Sequence, residues 1–151
     1  MIAARLDVRD WLAIANGELT LPSEFQRLIA AWELVEVWRQ SDLDRRNIEY
    51  PDLFANHLAP HIAATTLQND VEWLTRLERL RGECPIRQLT GNRERKKTFA
   101  GPDDLQNLLW VLYTVRCNLV HGQKEPASPR DLLVASHAAA VLAHLATTLV
   151  P

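Results

Sequence analysis

The feature that most constrains this chain is an apolar stripe at helical spacing that ends in side chains able to do chemistry. Leu105, Leu108, Leu109, Leu112, Val115 and Leu119 recur three and four residues apart after Pro102, the pattern of a helix with one face in a core. Arg116 follows Leu112 by four residues and Leu109 by seven, so its stem leaves the backbone at the stripe and not on the solvated side. A cation there needs a reason: a buried carboxylate such as Asp52 or Asp70, or an anionic ligand. His121 follows five residues later, about 140° round an ideal helix and ~7.5 Å along it. Gly122 comes next and can take the left-handed terminal conformation. Arg116 and His121 bracket a common point only if the last turn relaxes, or if a second copy of the helix completes the site.

Other stretches read as helices by the same periodicity. Ser23-Glu24-Phe25-Gln26 matches a capping box, and Phe25, Leu28, Ile29, Trp32, Val35 and Trp38 continue it as a stripe, which predicts a helix over 24–40. Its tryptophans are core or dimer packing, or alternatively a base-stacking platform. The segment before it, Val8 to Ala15, is a short helix or hook closed by the turn dipeptide Asn16-Gly17. Ser41 to Arg46 is a polar connection in which Arg45 and Arg46 are expected to be solvated. Pro51 can open a helix and Pro60 limits or kinks it. Leu67, Val71, Leu74, Leu77 and Leu80 predict a further helix closed by Gly82 and Pro85. Ser128 and Pro129 cap the last one, lined by Leu132, Leu133, Ser136, Ala139, Ala140, Ala143 and Ala146, small residues that let helices approach closely.

Residues 82–101 show no sustained period and no strand pattern, and they hold Arg93, Arg95, Lys96 and Lys97. This long basic loop is either solvated or tracks a phosphate backbone. The expected architecture is one all-α domain over 1–151, an up-and-down bundle of four main helices with a short N-terminal helix and the basic loop ahead of the Arg116 helix. The chain has 151 residues, 47% of them hydrophobic, and a net charge of −2; any nucleic-acid contact must therefore use local patches. Cys84 and Cys117 make no disulfide framework or zinc pattern, so a reducing cytoplasm is expected. Neither secretion nor a membrane anchor is expected, because the N-terminal stretch lacks a long apolar run and no run approaches the ~20 apolar residues of a bilayer span. His57 and His61 lie four apart, but Pro60 interrupts their turn; His137 and His144 lie seven apart without carboxylate or thiol company. No metal and no cofactor are expected.

Arg116-Cys-Asn118-Leu-Val-His121-Gly122-Gln-Lys124 resembles the signature of HEPN domains (higher eukaryotes and prokaryotes nucleotide-binding), an Arg followed after four to six residues by a His. Many bacterial members read Arg-x-Asn-Leu-x-His-Gly-Gly-Lys, and Gln123 here departs from the second Gly. The resemblance covers residues 102–149 and is only topological before that. It implies a metal-independent endoribonuclease acting as a homodimer through the motif helix, and a place in toxin–antitoxin or phage-defence systems with a possible antitoxin partner. In RNA the 2′-hydroxyl is the nucleophile. His121 would act as acid or base, since an imidazole titrates near neutrality, and Arg116 would hold the phosphorane with its charged fork. Asn118 would position the imidazole or a phosphate oxygen, and Lys124 would meet the neighbouring phosphate. The resemblance equally allows an inactive dimerisation or nucleotide-binding module. Without it, Arg116 reads as half of a buried ion pair and His121 as a helix cap favoured by the dipole.

Overall fold

Helical periodicity dominates the sequence, and the chain folds as an all-α protein carrying one small hairpin. The computed structural model describes residues 8–88, 95–120 and 128–149. Helix α1 (Val8–Ala15) ends as its turn dipeptide predicts. Gly17 sits at φ 76°, and the Gly17 and Glu18 amides close back on Ile14 and Ala13 at 3.1 and 2.8 Å.

Helix α2 (Ser23–Gln40) buries the expected stripe of Phe25, Leu28, Trp32, Val35 and Trp38. The capping box does not form. Pro22 is the cap residue, its carbonyl accepting from the Phe25 and Gln26 amides at 3.0 and 3.1 Å, while the Gln26 side chain donates to the Leu21 carbonyl at 2.7 Å. A proline has no N–H for a glutamine to satisfy, so the reciprocal half of the box has no purpose there. Arg45 is not solvated either: its guanidinium lies 4.1 Å over the Trp38 ring and donates to the Trp38 carbonyl at 2.9 Å. The last carbonyls of a helix need donors, and Arg45 supplies one.

Residues 50–63 form one helical path: α3 (Tyr50–Asp52), a wide π segment (Leu53–Leu58) and α4 (Ala59–Ala63). The wide turn directly precedes Pro60, whose missing amide hydrogen breaks the regular ladder, and it turns Leu53, Phe54, Leu58 and Ile62 into the core. A short 3-10 turn (Thr66–Asn69) leads to α5 (Val71–Arg81), capped by Asp70, whose carboxylate accepts from the Glu72 and Trp73 amides. That cap resets the stripe: Trp73, Leu77 and Leu80 are buried, whereas Val71, expected in the lining, is 76% exposed.

The Asp70 carboxylate also meets the His144 Nε2 at 2.9 Å, tying α5 to the last helix, and the imidazole lies 5.6 Å from the Trp73 ring. The His144 hydrogen bond, then the Trp73 amide, hold the Asp70 carboxyl below the usual carboxylate range. A carboxyl depressed in the folded state stabilises it above the unfolded pKa of about 3.9, and that contribution is lost as pH falls through the folded value. Acid unfolding followed by circular dichroism should therefore show a stability loss beginning below about pH 4 that is shallower in His144→Gln; equal slopes would remove this link.

The loop expected to lack strands forms a hairpin, β1 (Ile86–Gln88) antiparallel to β2 (Arg95–Lys97), with Ile86 opposite Lys97 and Arg87 opposite Lys96. Three-residue strands are too short to register as alternation, and Arg87 facing Lys96 is unfavourable by itself. Packing decides the pairing, since both strands lie against α6 (Leu105–Val120) and Ile86 and Phe99 are buried in the core. Helix α7 (Pro129–Leu149) starts as expected, the Ser128 hydroxyl accepting from the Asp131 amide at 3.3 Å. Its buried face is Val134, Ala135, Ala138, Val141, Leu142, Leu145 and Leu149 with Ala139 and Ala146, two of the residues expected there; Leu133 and Ala143, expected to line the core, are exposed. Contrary to the expectation from the sequence, α7 is long and apolar enough to cross a membrane by length and composition. In this fold its apolar residues pack against α2, α5 and α6.

Candidate functional site

Trp110, Tyr113 and Arg116 stand three residues apart on α6 and so form one oblique ridge. Across from them α2 presents Trp32, Glu36 and Arg39 at spacings of four and three, and the 50–63 path adds Tyr50 and Phe54. The rings join into one cluster. Tyr50 and Tyr113 lie 4.5 Å apart, Trp32 and Tyr113 5.7 Å, and Trp110 meets Phe54 edge-on at 5.3 Å. Trp32 and Phe54 are fully buried; Tyr50, Trp110, Tyr113 and Arg116 are partly exposed. Of the two readings of the α2 tryptophans, packing fits and the stacking platform does not, since Trp32 and Trp38 are buried at 1% and 8% exposure.

The two arginines of this cluster differ in their partners. Arg39 is neutralised locally, with Nη1 3.7 Å from Glu36, Nη2 donating to the Ile48 carbonyl at 2.8 Å and its guanidinium 4.8 Å over the Tyr50 ring. Glu36 also accepts the Tyr50 hydroxyl. Arg116 instead rests against Trp32, 5.9 Å from the ring centroid. Among the described residues it pairs with no carboxylate. Of the two acids considered as partners, Asp52 is exposed and Asp70 holds His144, so neither ion pair exists. A cation seated on an aromatic face keeps its in-plane donors for an anion, because the ring takes up the face of the fork and not its edge.

Both phenols beside it are donors at neutral pH. Burial, then the hydrogen bond to Glu36, raises the Tyr50 phenol above its ordinary value. Burial, then Cys117, pushes Tyr113 up to about 12. In this cluster Glu36 balances Arg39 and the two phenols stay neutral, so the charge of Arg116 is the one left for an anion such as a phosphate.

Asn118 is 1% exposed, and its Nδ2 donates to the Arg87 carbonyl on β1 at 2.6 Å. This bond fastens the hairpin to the helix that carries Arg116. Asn118→Leu should cost about 1–3 kcal/mol, the range for removing one partner of a buried hydrogen bond. Hydrogen exchange at 86–88 and 95–97 should rise with it; unchanged exchange there would show that the hairpin is held by other contacts.

In the basic run, strand alternation sets Lys96 and Lys97 on opposite sides. Lys97 turns towards α6, with its ammonium 5.3 Å over the Trp110 ring, while Lys96 is exposed on the opposite side. Arg93, His121, Gly122 and Lys124 lie outside the described residues, as does the side chain of Arg95. Of the remaining histidines, His61 reaches the Thr148 carbonyl at 3.3 Å and packs 5.8 Å from Trp38, His144 holds Asp70, and His57 and His137 are partly buried. Among the described residues no group of three His, Cys, Asp or Glu side chains stands close enough to hold a metal ion. Glu36, Arg39, Tyr50 and Trp110 were not singled out from the sequence. The signal for Trp110 was present, since it and Tyr113 lead to Arg116 in steps of three; that for Tyr50 was not, since its approach depends on the π segment.

Comparison with protein-family models, with curated proteins and with solved structures finds no match for this chain.

Proposed function

We propose that this chain is a HEPN-like endoribonuclease that cleaves RNA by attack of the 2′-hydroxyl on the adjacent phosphate. The observation that supports this reading best is Arg116 itself, a partly buried guanidinium seated on Trp32 with no carboxylate partner among the described residues. A cation so placed is stabilised when an anion arrives, since an unpaired charge in a half-dry setting lacks both solvent and counter-ion.

In this scheme the O2′–P bond forms as the P–O5′ bond breaks. His121 takes the 2′ proton, and an imidazolium, its own or that of a second protomer, returns a proton to O5′. Arg116 stabilises the charge that gathers on the phosphorane oxygens. The Tyr113 and Tyr50 phenols stay neutral at working pH and so set no opposing charge against the phosphate. Lys96 and Lys97 supply sequence-independent attraction for the flanking backbone, with Lys124, Arg93 and Arg95 as further candidates. Two copies meeting along the Arg116 helices would bring two motifs into one cleft, and an antitoxin-like protein that covers this face is the expected form of control.

The test is incubation of the purified protein with mixed RNA in EDTA beside His121→Ala. Cleavage by the wild type to 2′,3′-cyclic phosphate ends, and none by a folded variant, is the expected result. Intact RNA with both folded dimers would replace the enzyme reading with that of an interaction module.

A further inference from the structure

Trp110 is the partly exposed member of the ring cluster that faces the basic hairpin, and the group lying over it is the ammonium of Lys97 at 5.3 Å. Its remaining ring neighbours, Phe54 and Tyr113, meet it nearly at right angles, at 85° and 80°. No other ring lies parallel to the indole among the described residues. A lysine stem can leave an aromatic face at little cost, because a cation–π contact at a partly exposed site is weak and the ammonium is equally at home beside a phosphate. Trp110 lies six residues before Arg116 on the same ridge, ~9 Å along the helix axis, within reach of a nucleotide next to a phosphate held by Arg116.

We infer that Trp110 is a stacking platform for the base that flanks the reacting phosphate on the hairpin side, and that Lys97 swings from the ring to that nucleotide's phosphate when single-stranded RNA binds. The inference rests on the ribonuclease reading and deepens it. A π-face accepts any base, so the site gives grip without sequence preference. The Asn118 bond to Arg87 is then a positioning contact, since it sets the distance between β2 and the ridge.

The probe is a short single-stranded RNA with 2′-O-methyl groups, which cannot supply the nucleophile, and its binding is read by fluorescence anisotropy. Trp110→Leu should weaken binding by about tenfold or more, the effect of losing one base–aromatic stack, and Trp110→Phe should retain most of the affinity. Lys97→Ala should reduce the salt dependence by about one counter-ion. A ladder of the same RNA carrying one abasic position should reveal a single position whose loss weakens the wild type and has no further effect in Trp110→Leu. That wild-type ladder also serves if Trp110→Leu does not fold. Equal binding by wild type and folded Trp110→Leu, or an abasic ladder without a sensitive position, overturns the platform while leaving cleavage at Arg116 standing. A wild type that binds no RNA overturns both.

Discussion

Arg116→Ala should stay folded and, on the ribonuclease reading, should cleave RNA about 10²–10³ times more slowly than the wild type, the usual loss when one charge-stabilising donor is removed from a transition state. The reason to expect retained folding is specific. Truncating a buried arginine normally strands its carboxylate, at several kcal/mol. Arg116 has no such partner among the described residues, only the Trp32 ring at 5.9 Å, and an aromatic contact of that kind contributes about 0.5–1 kcal/mol. Arg116→Lys should recover charge but not the fork, and so only part of the rate. Single-turnover cleavage beside denaturant unfolding separates the two effects. If Arg116→Ala instead unfolds easily and whatever folds still cleaves, Arg116 is a packing residue and the chemistry lies elsewhere.

The second large effect is at Trp32, the seat beneath that guanidinium. Trp32 is 1% exposed and touches Tyr50 and Tyr113 at 6.2 and 5.7 Å between ring centroids. Trp32→Ala should cost about 3–5 kcal/mol through lost burial and the cavity left behind. Trp32→Phe should cost clearly less, because the indole Nε1 has no hydrogen-bond partner among the described residues and the smaller ring forfeits packing alone. At temperatures where both variants are folded, cleavage should fall more in Trp32→Ala than in Trp32→Phe, since only the former removes the aromatic face that orients Arg116. A Trp32→Ala protein as stable as the wild type would contradict the packing of α2 against α6 at this point.

Much of the site's scaffold was legible because helical spacing is local information. The α2 stripe and the cap at Ser128 follow from which residue types stand three or four apart, and so does the apolar face that ends beside Arg116. What misled was also local in kind. Val71 and Leu74 continue the period back from Leu77 and Leu80, but the Asp70 cap begins the helix so that Trp73 turns inward and Val71 outward. In α7 nearly every position is small or apolar, so period alone does not choose a face; Leu133 and Ala143 ended exposed while Ala135 and Ala138 were buried.

By itself, the sequence determined that the chain is helical, where its long helices run, and that a cation sits on the edge of an apolar stripe. These are properties of backbone propensity and side-chain period, which act within a turn or two. Only the tertiary structure decided what that cation meets. The π segment brings Tyr50 beside Tyr113, the buried amide of Asn118 holds the basic hairpin on α6, and Arg39 takes Glu36, leaving Arg116 on a ring with no acid beside it among the described residues. Apart from the Arg39–Glu36 pair, which lies within α2, these contacts join residues far apart in the chain, and burial and hydrogen bonding between elements, not spacing within one, select them.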